Sequence, residues 1–453
     1  MASPHAASNR SNFNWITLVL VLFGLTSLVL YRVGLRAAGT KDILWFLKLT
    51  ACQAILYFVA SWVILRARPA RPLFLIVILF AVLFRLSILF SPPYLSDDIY
   101  RYVWDGRVQA AGINPYRYIP ADPSLAQLRD DKIYPKINRR DYATTIYPPL
   151  AQAIYLLATR ISESVTWMKA TMLGFEAIAI WAIAQLLASF GLSRQRVLIY
   201  AWHPLIVWEF AGSGHVDAVA VAFITLALLA RRRKAEVLVG ITLACATLVK
   251  LFPLALFPAL YRRWGWKMPL ALAITVVVAY LPYLSVGPVA VLGFLPGYVT
   301  EQGLASGEQF YLLSVARKLV GASIPNTAFL IFALITMISV AAWSVFKAEQ
   351  HADSYIRRAC VLATVVIVLF APHFSWYFAW LVPFLCFVPR PSLFYLTAAS
   401  FVLYGSWLGD KPEQMFWLNT AIYLPFALLL AIELLARSLL LKLTEQTQEE
   451  ASP

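Results

Sequence analysis

The chain has 453 residues, of which 61% are hydrophobic, 14% aromatic and only 13% charged, whereas a soluble globular domain is roughly 45–50% apolar and about 25% charged. No soluble core of this length buries so much apolar side chain, so a soluble enzyme, a fibrous protein and a disordered chain are excluded; long uninterrupted apolar runs exclude an outer-membrane barrel, whose strands alternate apolar and polar. The formal net charge of +15 sits mostly in short loops between apolar runs, which is the positive-inside signature of a polytopic membrane protein and sets nucleic acid aside as a partner.

Arg10 precedes an apolar run from Trp15 to Tyr31 that is long for a signal peptide, and Ala37-Ala38 after Arg36 makes a poor cleavage site, so an uncleaved first span is expected. Apolar windows then predict about fourteen helices. They lie near 14–33, 43–65, 73–90, 167–190, 197–211, 216–230, 237–250, 251–261, 269–286, 327–346, 359–372, 374–388, 392–408 and 414–436. Several are too short to cross a 30 Å core at 1.5 Å per residue, and those around Pro253 and Pro372 read as half-spans or kinked hairpins. The fold class is therefore an all-α polytopic bundle of about 11–14 spans. Its parts are two helices in 1–70, a core over 71–436 with an outer loop at 91–166, and a polar tail over 437–453.

Orientation follows from Lys and Arg in short loops. With the amino terminus in the cytoplasm, Arg66, Arg68, Arg71, Arg194, Arg196, Arg262, Arg263, Lys267, Lys347, Arg357, Arg358, Arg390, Arg437 and Lys442 fall on one side. So does Arg231-Arg232-Arg233-Lys234, which reads as a topology anchor in preference to a nucleic-acid patch. The opposite face receives 91–166, 287–326 and the turns at 212–215, 372–374 and 409–413. Cys52, Cys245, Cys360 and Cys386 lie in apolar segments without CxxC spacing and are expected to be small buried hydrophobes.

Segment 91–145 holds seven acids and eight bases. Pro92-Pro93 break the chain and Ser96 is placed to cap a helix beginning at Asp97. On that helix Asp98, Arg101, Tyr102 and Asp105 share a side, and Tyr100, Tyr102 and Trp104 are expected at headgroup depth. A second short helix is expected from Pro149 to Ile161. Asp97-Asp98 reads either as a carboxylate base held outside the bilayer or as first-turn acids that complement a helix dipole.

The stretch SDDIYRYVWDGRVQAAGINPY followed by YPPL resembles the first long loop of the GT-C superfamily of glycosyltransferases. The resemblance is nearest to the bacterial polyprenol-phosphomannose-dependent alpha-mannosyltransferases and the glycosyltransferase 87 group. Segments 203–223, 240–260 and 371–385 extend it across roughly 90–390. It implies an inverting glycosyltransferase in the bacterial cytoplasmic membrane with its site facing outward. The donor would be a polyprenyl-phosphate sugar, mannose by resemblance, and the acceptor a hydroxyl of a lipid or glycan. The rival class is a transporter or flippase of a lipid-linked sugar, which would carry its charges near the midplane on broken helices.

The topology alone brings Asp97, Asp98, His215, Asp217, Lys250, His373 and Tyr377 to the outer face, and charge near a bilayer is costly enough to mark a site. Asp97 and Asp98 are the candidate bases, with a slight preference for Asp97. Lys250, His373 and Arg101 are the candidate phosphate ligands, although Lys250 also reads as a snorkelling lysine. His215, Asp217, Tyr147, Trp376 and Tyr377 are the candidate sugar contacts, or else caps and an interfacial aromatic belt. His203, Glu209 and Glu176 are expected to make helix–helix hydrogen bonds. No cofactor or metal-ligand spacing is present; some members of the superfamily need a divalent cation, which Asp97-Asp98 would be placed to hold.

Overall fold

A computed structural model describes residues 4–321, 323–409 and 413–450, with side chains from Trp15 to Leu439. Three long helices open the chain: α1 (Pro4–Gly39), α2 (Ile43–Arg66) and α3 (Arg71–Leu89). The first long connection carries α4 (Asp98–Ala110) and α5 (Pro149–Ile161), the second of them with the expected bounds. After α6 (Val165–Ser189) the chain breaks into α7 (Leu198–Ala201), α8 (Pro204–Ile206) and a π-helical turn over Val207–Ser213. Then come α9 (Asp217–Arg232), α10 (Glu236–Thr247), α11 (Phe257–Leu260) and α12 (Lys267–Tyr280). The second long connection holds α13 (Leu295–Glu301) and α14 (Tyr311–Val320). The bundle closes with α15 (Asn326–Phe346), α16 (Ser354–Phe370), α17 (Val382–Leu385), α18 (Pro391–Ala399) and α19 (Gln414–Glu450).

The described residues contain no strand, and seven helices are long and apolar enough to cross a membrane unaided. They lie within α1, α2, α3, α6, α12 with its 3-10 extension to Val286, α15 and α19. The remaining windows are shorter, and most are broken, for a shared reason. Pro204, Pro253, Pro258 and Pro383 each sit at the first or second residue of a new short helix, where a missing N–H costs nothing. Irregular backbone at membrane depth is tolerated only inside protein, and every residue from Val197 to Ala222 is buried. By contrast α15 turns Leu330, Ile331, Phe332, Leu334, Ile335 and Ile338 outward, an apolar flank suited to lipid. Cys52, expected to be buried, is exposed on α2, while Cys360 and Cys386 are buried. The expected turn at 409–413 falls largely outside the described residues, as do the last three residues of the tail.

Side-chain donors hold the broken segment in place. Tyr57 Oη donates to the Ile199 carbonyl at 2.8 Å, Trp202 Nε1 to Val77 at 2.9 Å and Trp208 Nε1 to Gln53 Oε1 at 2.9 Å. His203 bonds Thr397 Oγ1 at 3.0 Å, a helix–helix hydrogen bond as expected. Glu176 makes more than that: it forms a buried ion pair with Arg85 of α3, whose guanidinium also donates to the Ala81 and Ala201 carbonyls. Breaking such a pair leaves a lone charge in a dry interior. Arg85→Met is therefore expected to cost about 3–5 kcal/mol, and Arg85→Met/Glu176→Met to recover most of it. Thermal unfolding in detergent reads both; a double variant no more stable than the single one would show that the pair is not the source.

The aromatics of α4 do not sit among headgroups. Tyr102 and Trp104 are 1% exposed, because α5 packs along α4 and Tyr102 stacks on Tyr155 with ring centroids 4.6 Å apart. Gly106 permits that approach, since a Cβ there would lie 2.5 Å from the Tyr155 carbonyl oxygen. The first long connection is thus built into the protein, which fixes the acids at the start of α4.

Candidate active site

Lys169 on α6 is wholly buried, and its ammonium donates to the carbonyls of Ile88 at 3.3 Å and Ser91 at 2.8 Å. That pins the bend after α3, where Pro92-Pro93 redirect the chain. Ser96 Oγ then accepts the Asp98 N–H at 3.3 Å, one residue from the expected cap, and the helix starts at Asp98 with Asp97 as its N-cap residue. The two acids share one donor: Asn138 Nδ2 lies 3.1 Å from Asp97 Oδ1 and 2.6 Å from Asp98 Oδ1. Asp97 is exposed and Asp98 half-buried. Burial and the adjacent Asp97 charge raise Asp98 above its ordinary carboxyl range, partly offset by Lys250, Arg139 and the Asn138 hydrogen bond.

Lys250 reaches the same space from the turn after α10. The YPPL turn is docked on that turn, with the Leu150 and Ala151 N–H groups both donating to the Leu248 carbonyl. Lys250 Nζ donates to Asp217 Oδ1 at 2.9 Å and Oδ2 at 2.7 Å, and sits 4.5 Å above the Tyr377 ring. Trp380 Nε1 adds a bond to Asp217 at 3.1 Å. Asp217 has no exposure, so it is the counter-ion of Lys250 in a largely desolvated place.

These groups face one cavity of about 410 Å³, within the range of small-ligand pockets. Asp97, Asp98, Asn138, Tyr147, Lys250, His373, Trp376 and Tyr377 all line it. His373 is held neutral, burial lowering it to about 4, and its Nε2 has no partner within the protein. It is a hydrogen-bonding group rather than a cation. Tyr377 Oη meets Tyr298 Oη at 3.0 Å, and Arg139 and Glu301 pair at the rim at 2.6 Å, joining the two long connections across it.

Seven of the ten candidate residues line this space, and three do not. Arg101 lies one turn along α4 and points at the neighbouring loop, its Nε 2.7 Å from Asp105 and Nη1 3.2 Å from the Ala143 carbonyl. His215 lies behind Trp376, stacked on it at 4.1 Å, and Asp217 lies behind Lys250. Glu209, expected to bond between helices, does accept from Tyr404 Oη at 2.8 Å. Sequence reasoning passed over Asn138, Arg139, Tyr298, Glu301 and Tyr404. As for a divalent cation, no three His, Cys, Asp or Glu side chains among the described residues converge as metal ligands, and the two acids converge instead on an amide N–H donor. The arrangement does not fit a metal centre.

The combination of acid pair, paired cation and aromatic wall suits a sugar joined to an anionic leaving group. No curated protein matches the chain. A family profile, that of alpha-(1->6)-mannopyranosyltransferase, N-terminal domain, matches residues 18–266. That stretch includes Asp97, Asp98, Asn138, Tyr147, Asp217 and Lys250, and His373, Trp376 and Tyr377 lie beyond it. Because the match spans more than half of the chain, the protein belongs to this family of mannosyl-transferring glycosyltransferases.

Proposed function

We propose that this multi-pass mannosyltransferase takes mannose from a polyprenyl-phosphate carrier and transfers it, with inversion, to a hydroxyl of a lipid or polysaccharide acceptor at the extracytoplasmic face of the bacterial cytoplasmic membrane. The observation that carries this reading is the single cavity joining the acid pair to the Lys250–Asp217 pair. Lys250 binds the carrier phosphate and stabilises the charge that grows on it as the bond to the anomeric carbon breaks. Trp376 and Tyr377 stack on the sugar, and His373 hydrogen-bonds the phosphate or a hydroxyl. A small cleft lined by Phe252, Gln302, Leu304, Gln309, Phe370 and Pro372 adjoins the cavity and shares Tyr298, His373, Phe374 and Tyr377 with it, the side from which a lipid tail would reach the cavity.

The acceptor hydroxyl attacks opposite the leaving phosphate while a carboxylate takes its proton. One base suffices because phosphate leaves without a strong general acid, unlike glycoside hydrolysis with its two carboxyl groups. We assign the base to Asp98. Its raised pKa makes it the better proton acceptor near neutral pH, and the adjacent Asp97 charge contributes to that shift. Two adjacent carboxyls in unlike surroundings divide their roles in this way.

Purified protein is expected to transfer sugar from a polyprenyl-phosphate donor, and Asp97→Ala and Asp98→Ala assayed side by side are both expected to lose rate, Asp98→Ala the more. If both match the parent, the base assignment is wrong; if the parent moves intact lipid across vesicles without transferring sugar, the transporter reading replaces this one. Sidedness is read by cysteine labelling: a probe at Ser124→Cys is expected to react from outside intact cells, and reaction only from the cytoplasmic side would overturn the topology.

A further inference from the structure

Glu209 and His215 are buried beneath the cavity, with 0% and 1% exposure, and nothing in the mechanism above uses them. One ring nitrogen of His215 faces Asp98 Oδ2 at 3.8 Å and the other faces Glu209 Oε2 at 3.4 Å. Neither ring nitrogen has a hydrogen-bond partner within the protein, and neither does Glu209 Oε2. Unsatisfied buried groups are rare and call for an explanation; here three of them are aligned behind one carboxylate. Glu209 sits in the π-helical turn Val207–Ser213, an irregularity found often at functional sites. The turn ends at Gly214 with φ +75°, where the His215 N–H bonds back to the Glu209 carbonyl at 2.9 Å. Any Cβ at Gly214 would lie 2.4 Å from Ile99 Cδ1, the residue after Asp98. The glycine therefore sets the spacing between His215 and the start of α4.

We propose that Asp98, His215 and Glu209 form a buried proton relay, in which His215 receives the proton that Asp98 takes from the acceptor and Glu209 holds the resulting imidazolium. This rests on the transfer reaction proposed above. The balance is complete without a further reactant. The acceptor O–H bond breaks as its oxygen bonds the anomeric carbon, and the bonding pair to the phosphate oxygen leaves with the phosphate. The proton passes from Asp98 to the facing ring nitrogen of a His215 that starts neutral, with its other N–H turned to Glu209. It returns through Asp98 to water after the product departs. The arrangement follows the logic of a carboxylate that orients and stabilises a catalytic imidazole. Tyr404 Oη, itself on the cavity wall, fixes Glu209 Oε1.

The other ionisable groups around His215 are accounted for. Lys250 is paired with Asp217. The Lys169 ammonium is turned to the Ile88 and Ser91 carbonyls, and Tyr102 Oη lies 3.5 Å from the Val216 N–H. Trp376 covers one face of the ring at 4.1 Å and keeps it from direct contact with substrate, so His215 and Glu209 act through Asp98 and are positioning residues.

The test has two readouts. In the transfer assay, His215→Asn is expected to lower kcat about 100-fold, at the lower end of general acid–base contributions, and Glu209→Gln about 10-fold, with donor KM within about twofold and Glu209→Asp recovering part of the loss. The acid limb of kcat is expected to move to lower pH in both, since each loses a group that favours protonated Asp98. Independently of turnover, infrared titration of the detergent-solubilised protein is expected to show a protonated-carboxyl band, absent in Asp98→Asn, whose midpoint falls in His215→Asn and Glu209→Gln. Lost activity with an unmoved midpoint would mean a structural role only and overturn the relay. A parent that transfers no sugar would sink the reaction assignment, while the infrared midpoints would still decide whether the three groups are coupled.

Discussion

Lys250→Met is expected to be damaging twice over, in rate and in stability. The ammonium lies 2.7 Å from a carboxylate with no solvent exposure, so its loss strands Asp217 with the Trp380 N–H as its remaining side-chain donor. A buried charge deprived of its partner typically costs about 3–5 kcal/mol. Separately, removing a preorganised donor from a developing anion costs about 10²–10³ in kcat. The two effects part company in Lys250→Met/Asp217→Asn. That double variant is expected to regain most of the thermal stability, because neither charge remains, while transfer stays low, because nothing cationic faces the phosphate. Unfolding temperature and kcat on the same detergent preparations give the answer. Lys250→Met with kcat within about threefold of the parent would remove the cation from the proposed chemistry, whatever its effect on stability.

What the sequence conveyed, and what it withheld, follows from how each signal arises. Apolar windows are local, and α2, α3, α6 and α15 begin and end within about two residues of their expected bounds. The windows around Pro253 and Pro372 show their breaks in the sequence, because proline interrupts a helix wherever it falls, whereas the window containing Pro204 is visible as apolar but not as fragmented, because its fragmentation depends on neighbours that satisfy the freed backbone groups. Asp97, Asp98, Lys250 and His373 were legible because charge or a histidine near a bilayer needs a reason. Arg85 and Lys169, inside the windows 73–90 and 167–190, carry the same signal, and the structure gives each a structural partner. Asn138, Arg139, Glu301 and Tyr298 were illegible in a stronger sense. In a segment with seven acids and eight bases, one more amide or arginine resembles solvated surface. Their importance comes from the closure of two long connections over one cavity, at sequence separations of up to 162 residues. The α4 aromatics failed for the opposite reason. Tyr and Trp suit both a headgroup layer and a protein interior, and only the docking of α5 on α4 decides between them.

Asp98→Asn separates catalysis from folding in the contrary direction. Transfer is expected to fall about 10²–10⁴-fold, the usual contribution of a general base. Asparagine retains the oxygen that accepts from Asn138 but has no lone pair basic enough to take the proton. Stability is expected to rise at neutral pH. A carboxyl whose pKa is higher in the folded than in the unfolded protein favours folding when protonated, so its ionised form is a burden on the native state. That burden is absent below the ordinary aspartate range, near pH 4, where the side chain is protonated in both states. It grows as pH rises toward the elevated folded value and is fully present above it. The unfolding temperature of Asp98→Asn should therefore exceed that of the parent at pH 7–8, and the two should converge on acidification. Asp97→Asn removes the neighbouring charge and is expected to lower the acid limb of the rate profile, since Asp98 then ionises more readily. An Asp98→Asn protein less stable than the parent at pH 7, with the gap closing on acidification, would mean that the ionised carboxylate is held by its neighbours rather than strained among them, and Asp98 would lose its standing as the base.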